Sequence, residues 1–306
     1  MRSVSVLGIS FSIEDDMPNF DEGGILKLVR ENLNGTEDIV LLPETCLGLA
    51  ISEPADRFLS GIAELAAKNR VYILAAVNRK ITERTHANSA ILYDRSGGIA
   101  LCYDKMYPYW NEYDRDDSDV IPGSGAVYAD TDFGRVCAAI CFDANFSGLW
   151  QDIADLDADL VLFTSAYSSG RQLCAHALNH HYAIVTTTSK PDFAVYDIDG
   201  REIIYNRGSP GKALIARARI DLDKVICHHN FNREKIFAML REHPGEIELE
   251  QDYEREEWCV IRSILPEVDA RAMCRAYGIE GLRDYKRRSR KHADAIRAQA
   301  SKESRL

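Results

Sequence analysis

The ten residues GRVCAAICFD (134–143) decide the fold class. From Val136 to Ile140 the stretch is apolar without interruption, the pattern of a strand buried on both faces, and it stops at Cys141 before the polar turn FDANFSG. A strand covered on both faces needs helices packed on its sheet. The sequence supplies them on either side. Downstream, LWQDIADLDA reads as a helix, LVLFTSAY as a strand, LCAHALNHHY as a helix and IVTTTS as a strand. Upstream, VSVLGISFS is a strand, and ILKLVRENL sets Ile25, Leu28, Val29 and Leu33 at helical spacing. IVLLPE is again a strand, SGIAELAAKNR a helix and VYILAAVNRK a strand, while SAILYDRSGG and IALCYDKMY pair around Gly97 and Gly98. FAVYDIDGREIIYNRG and ALIARARIDL add strands joined by glycine turns. This alternation predicts an α/β fold with covered sheets rather than an all-α or all-β domain.

With 306 residues, 46% of them hydrophobic, the chain can bury a substantial core and is not intrinsically disordered. A balance of 37 Lys+Arg against 48 Asp+Glu gives a net charge of −11. Such a surface repels phosphates, so neither a nucleic-acid nor an anionic-membrane partner is expected. No apolar run approaches the roughly 20 residues that span a bilayer. Cys46, Cys102, Cys137, Cys141, Cys174, Cys227, Cys259 and Cys274 all fall in predicted core segments, and nothing before Val4 reads as a signal peptide. A reduced, cytoplasmic protein is the expectation.

After Leu222 the composition shifts. Residues 242–257 hold eight acidic residues and one Arg, whereas residues 282–306 hold nine basic and three acidic. GEIELE alternates, with Ile247 and Leu249 on one side, and so suits an edge strand or an arm. The two charged segments are expected to attract one another within or between subunits, with burial of Ile247, Leu249, Trp258 and Ile261 supplying most of the stabilisation.

Three residues stand where an α/β fold exposes reactive groups, at the carboxyl ends of strands. Cys141 ends VCAAI, Glu44 emerges from LLPE behind the rigid Pro43, and Lys105 ends LCYDK. Each alone has an ordinary reading, a buried structural thiol (the assignment given to Cys137 and Cys102) or a solvated charge. Together, three strand ends can converge on one cleft.

LPE around Glu44, DKMYPYWNE around Lys105 and ICFD around Cys141 follow one another at spacings of 61 and 36 residues. In that order they resemble the signatures of the nitrilase, or carbon-nitrogen hydrolase, superfamily, and its amidase-like branch in particular. The resemblance covers roughly residues 3–225, with DLVLFTSAY and AHALNHHYAIV in the supporting positions. It implies a four-layer α-β-β-α sandwich with residues 1–225 as catalytic domain and 226–306 as a C-terminal extension, an acidic arm then a basic helical tail. It also implies a Glu44–Lys105–Cys141 triad that needs no metal or organic cofactor. Cys141 would be the nucleophile, Glu44 the proton carrier, and Lys105 with the backbone N–H of Phe142 the oxyanion holder. Glu112 matches a second family carboxylate; otherwise it is an exposed loop acid. The family's pairing through its helical face and crossing C-terminal arms imply a homodimer or higher homo-oligomer.

Tyr107, Tyr109, Trp110, Phe142 and Tyr167 flank these motifs as candidates for the pocket rim, and each is equally a core candidate. Asn145, Ser147 and Gly148 stand where amidase-type members often carry the Arg and Pro-Glu of CYDxRFPE. Phe142-Asp143 replaces the Trp-Glu of true nitrilases, which favours a small linear amide or N-carbamoyl compound over a nitrile. Nitrile hydrolysis and a catalytically silent binding or scaffold protein are the alternatives. The pairs His180-His181 and His228-His229 lack C-x-x-C or H-E-x-x-H partners for a metal. A Cys-His-Glu glutaminase would flank its Cys with glycines in an elbow, and ICFDA has none.

Overall fold

The strands that read as continuous apolar runs form the centres of two sheets. The computed structural model describes residues 2–12, 20–53, 56–113, 119–209 and 211–303. These divide into two units, one from Ser3 to Leu222 and one from Asp223 onward that also takes Arg2. In chain order the first unit runs β1 (Ser3–Ser10), α1 (Glu22–Asn32), β2 (Ile39–Leu41), β3 (Ile51–Ser52), α2 (Arg57–Asn69), β4 (Tyr72–Thr82), β5 (Thr85–Tyr93) and β6 (Ile99–Asp104). It continues with α3 (Trp110–Tyr113), β7 (Asp119–Val120), β8 (Tyr128–Thr131), β9 (Gly134–Ile140), α4 (Ser147–Asp155) and β10 (Leu160–Ser165). Then come α5 (Gly170–His180), β11 (Ala183–Thr188), β12 (Asp192–Tyr196), β13 (Glu202–Arg207) and β14 (Leu214–Asp221).

One sheet has the order β14-β1-β2-β4-β5-β6, with β3 beside β4 and β7 beside β5; the other has the order β13-β12-β11-β10-β9-β8. Each is parallel at its centre, β1-β2-β4 and β9-β10-β11, and antiparallel at both flanks. Helices cover the outer faces. Asp21 and Asp56 start α1 and α2 by accepting the N–H groups of Gly24 and Leu59, both at 2.7 Å. Ile25 and Val29 of α1 and Phe58, Leu59, Ile62, Leu65 and Ala66 of α2 then bury against Ile73, Ala75 and Val77 of β4. Each large side chain so buried contributes about 1.5–3 kcal/mol. On the other sheet Trp150 of α4 stacks on His176 of α5 and reaches Phe163 of β10.

The inner faces meet directly. A Cβ on Gly8 of β1 would lie 2.2 Å from the Phe193 ring of β12, so only glycine permits this approach. Ser10 Oγ donates to the Asp192 carbonyl at 2.6 Å and Thr187 Oγ1 to the Leu42 carbonyl at 3.0 Å, which ties sheet to sheet. The result is the four-layer α-β-β-α sandwich.

Four details differ from the sequence reading. β5 starts at Thr85, ahead of SAILYDRSGG, because His86 and Asn88 are buried polar residues that break the apolar pattern without ending the strand. β8 makes a short hairpin onto β9 that the pattern did not mark. Cys102 is exposed rather than buried: β6 is an edge strand on which Leu101 and Tyr103 turn inward and Cys102 outward. Cys174, also assigned to a core segment, is half-buried.

The second unit holds β15 (Lys224–His228), α6 (Arg233–Glu242), β16 (Ile247–Tyr253), β17 (Trp258–Ser263), α7 (Ala270–Ala276) and α8 (Leu282–Glu303). Its antiparallel sheet has the order β15-β17-β16, which makes GEIELE part of an edge strand. Ile236, Met239, Ile247, Cys259, Ile261, Cys274 and Ile279 form its own apolar core, against which Leu249 packs. The acidic strand finds cations next to it: Glu248 pairs with Arg262 of β17 and Glu250 with Lys224 of β15 at 2.8 Å. α8 is largely exposed, and residues 304–306 of that tail lie outside the described residues. No helix among the described residues is long and apolar enough to cross a membrane.

Candidate active site

Glu44, Lys105 and Cys141 follow β2, β6 and β9, all strands of the sandwich. β2 runs on past Leu41, with Leu42 N–H donating to the Leu74 carbonyl at 3.0 Å, and the chain turns away at Thr45, whose φ of 43° is left-handed. Lys105 N–H donates to the Asn88 carbonyl at 2.8 Å, which keeps the residue in register just beyond the end of β6. Cys141 has φ 49° and opens the 3-10 turn Cys141–Asn145, so the strand bends sharply at the thiol. A non-glycine residue in this region costs on the order of 1–3 kcal/mol, which the surroundings must offset. An elbow therefore exists here without flanking glycines.

Asp143 holds the elbow. Its carboxylate accepts Ile140 N–H at 2.9 Å, Tyr107 N–H at 3.0 Å and the Tyr103 hydroxyl at 2.7 Å, while its carbonyl accepts the Trp150 indole at 2.9 Å. Burial pushes this carboxyl up to about 6, against the lowering effect of those donors. The same bonds fasten the Cys141 turn to the segment that follows Lys105.

Lys105 Nζ lies 2.8 Å from Glu44 Oε1 and 2.6 Å from Glu112 Oε1. Asn88 Nδ2 donates to Glu44 Oε1 at 2.8 Å and to Glu112 Oε2 at 3.0 Å. Tyr109 N–H adds a bond of 2.7 Å to Glu112 Oε1. Lys105 is 1% exposed and Cys141 7%. Burial works to lower the lysine's proton affinity, but the charges of Glu44 and Glu112 and the bond to Glu112 outweigh it, and the ammonium is held well above its ordinary range. Glu112 is held below the ordinary carboxylate range: burial opposes this, and the Lys105 charge with the bonds from Lys105 and Asn88 prevails. The Cys141 thiol is pushed up to about 12, by burial first and by the charge of Glu44 second, with Lys105 pulling the other way. Cys141 thus rests as a thiol. Glu44 Oε2 is buried and has no hydrogen-bond partner.

Residues 5–188 match the sequence model of the carbon-nitrogen hydrolase family. The chain belongs to the carbon-nitrogen hydrolase family. A deaminated glutathione amidase of Yersinia enterocolitica is 24% identical over 157 residues, 45% of this chain and 54% of that relative, so the match spans about half the relative's length. Among solved structures, a carbon-nitrogen hydrolase from Helicobacter pylori superposes with a TM-score of 0.62 at 16% identity, covering 79% of this chain and 96% of that one. An amidase from Nesterenkonia sp. superposes with a TM-score of 0.59 at 15% identity, covering 72% and 91%. In one structure of a mutant of the Nesterenkonia enzyme, acrylamide has added to the active-site cysteine by Michael addition. These likenesses agree with its sandwich fold.

Aromatic rings surround the elbow of this carbon-nitrogen hydrolase. Tyr107 stacks on Phe146 at 3.7 Å between centroids, and half-buried Phe142 packs edge-on against Phe146 at 5.5 Å and Tyr109 at 5.6 Å. Tyr167 joins through Asn145, whose Nδ2 donates to the tyrosine hydroxyl at 3.3 Å and to the Phe142 carbonyl at 3.1 Å; Gln172 then donates to Asn145 Oδ1. Trp110 instead packs on Tyr113 and is 76% exposed. Of the sequence candidates, then, Tyr107, Tyr109 and Phe142 form one group, Tyr167 borders it, and Trp110 points to solvent. Glu112 is tied to Lys105 and Asn88, not left as an exposed loop acid.

Asn88 and Phe146 were missed. The available signals were an Asn inside an apolar strand and an aromatic five residues past the Cys. Among the described residues no three of His, Cys, Asp and Glu gather as metal ligands.

Proposed function

We propose that this carbon-nitrogen hydrolase cleaves the C–N bond of a small linear amide or N-carbamoyl compound through a thioester on Cys141. The observation that carries the reading is a carboxylate divided in its duties. Glu44 Oε1 receives two donors while the buried Oε2 receives none, close to a thiol that is protonated at rest. Oε2 takes the Cys141 proton as Sγ attacks the carbonyl carbon, so the thiolate is formed only as it is consumed. The oxyanion is stabilised by Lys105 Nζ and by the Phe142 N–H, one of the open donors at the first turn after the elbow. Glu44 passes its proton to the departing nitrogen, and ammonia or an amine leaves with the C–N bond. Water, giving its proton to Glu44, then opens the thioester, and that proton returns to Sγ as the acid departs.

Glu112 keeps Lys105 in place from the side opposite Glu44, and the rings of Tyr107, Tyr109 and Phe142, with Tyr167 beyond, offer an apolar rim for the rest of the substrate. The covalent adduct of the Nesterenkonia amidase supports a nucleophilic cysteine in this branch. We further propose that the unit after Leu222 serves assembly of a homodimer or larger homo-oligomer, measurable by sedimentation of the full chain. All eight cysteines are thiols, which supports a cytoplasmic location.

A panel of amides, N-carbamoyl amino acids and matching nitriles, read by ammonia release, tests the function. Amides or N-carbamoyl compounds should have the higher kcat/KM. A nitrile converted to its acid faster than the matching amide would reverse the ranking. Binding without turnover of any member would move the protein to the silent class.

A further inference from the structure

We infer that Asn88 is a positioning residue that decides which oxygen of Glu44 accepts the thiol proton. The inference rests on the reading of Glu44 as the proton carrier. A carboxylate has two equivalent oxygens, and Lys105 alone could pair with either. Asn88 removes the equivalence by sending a second bond to the oxygen Lys105 already holds, Oε1. With Oε1 doubly engaged, only Oε2 keeps open lone pairs.

The other Asn88 Nδ2 hydrogen goes to Glu112 Oε2, and Lys105 bonds the remaining oxygen of Glu112, Oε1, together with the Glu44 Oε1 that Asn88 also holds. Glu44, Asn88, Glu112 and Lys105 therefore close a ring of four hydrogen bonds in which neither carboxylate can rotate alone. The amide cannot be turned over, since its Oδ1 would then face two carboxylates. As placed, Oδ1 is buried with no partner, a cost that the donor side of the amide offsets. The main chain of the same residue accepts Lys105 N–H, so one position on β5 registers the lysine by its backbone and both carboxylates by its side chain. A residue serving only the strand would need neither side-chain bond.

The test compares Asn88→Ala, Asn88→Ser and Asn88→Asp with Glu44→Gln in the full-length protein, on the best amide of the panel. Asn88→Ala should lower kcat by ~10²-fold with KM changed less than about threefold, because substrate still binds while the base is misaligned. Asn88→Ser, which keeps one donor, should recover part of that loss, and Asn88→Asp, an acceptor set against two carboxylates, should lose the most. In the Glu44→Gln background Asn88→Ala should cost little further, since the two act as a unit. A folded Asn88→Ala variant with kcat within about threefold of the parent, beside an inactive Glu44→Gln, would overturn this inference alone. An active Glu44→Gln would overturn the proton-carrier reading beneath it. On the parent protein, selective 15N labelling of Asn gives a readout that needs no variant. Both Asn88 side-chain protons should resist exchange with solvent, and rapid exchange of either would contradict the ring.

Discussion

Burial raises two cysteines of this molecule, Cys141 and Cys259, to similar proton affinities, and in the proposed mechanism only one of them reacts. In the sandwich, Cys141 is pushed up to about 12 beside Glu44 and Lys105. In the second unit, Cys259 is also pushed up to about 12, by burial first, with Cys227 and Cys274 4.0 Å apart in the same apolar core. A raised thiol pKa is therefore no mark of a nucleophile. What separates the two is a buried carboxylate oxygen with no partner and an ammonium aimed at the same place, present at Cys141 and absent from the apolar cluster around Cys259.

The comparison breaks most sharply under substitution. Cys141→Ala should reduce turnover by more than ~10³-fold, whereas Cys259→Ala should leave kcat within about twofold and lower stability instead, by on the order of 1 kcal/mol for the lost burial. Steady-state kinetics and urea melts on both variants check this. Lys105→Ala should cost roughly 3 kcal/mol in the barrier, or ~10²-fold in kcat, as one strong oxyanion donor is removed.

Glu44→Gln sharpens the contrast in the opposite direction. Removing a negative charge that raises the thiol should lower the pKa of Cys141, so its alkylation by iodoacetamide should speed up at a given pH while turnover is lost. Cys259 should not respond. The measurement is the pH profile of alkylation, followed by peptide mapping.

Smaller effects belong to acid stability. The folded pKa of Glu112 lies below its unfolded value, so its contribution is present above the ordinary carboxylate range near 4.5 and is lost as pH falls through the depressed value. Asp143 has the opposite sign. With its folded pKa at about 6, it favours the fold most below about 3.8, and that advantage declines as pH rises to about 6 and is constant beyond. Asp143→Asn should therefore flatten the stability profile between those limits, and Glu112→Gln should flatten it only at lower pH. Thermal melts across pH 3–7 would show the difference.

The same contrast explains what could be read from the sequence. β9, β10 and β11 are buried on both faces, so their composition announces them. β16 alternates apolar residues with Glu248 and Glu250, and β17, although buried except at Arg262, is a short run behind the acidic stretch that ends at Glu257, so the unit after Leu222 read as charged periphery although Ile247 and Ile261 form its core. Glu44, Lys105 and Cys141 were legible because strand ends carry side chains into clefts and because the three motifs occur together. Asn88 was hidden inside a strand, where a polar side chain looks like the end of the pattern, and Phe146 needed the three-dimensional turn to reach Tyr107. Cys102 shows the reverse error, in which an apolar-looking residue on an edge strand faces outward.

The most direct measurement is acid quenching during turnover of the best amide, followed by mass spectrometry of the intact protein and its peptides. The account expects an acyl adduct, equal in mass to the substrate minus its amine, confined to the peptide containing Cys141 and missing from Cys141→Ala. Full turnover with no adduct at Cys141, or an adduct on another residue that persists in Cys141→Ala, would contradict it.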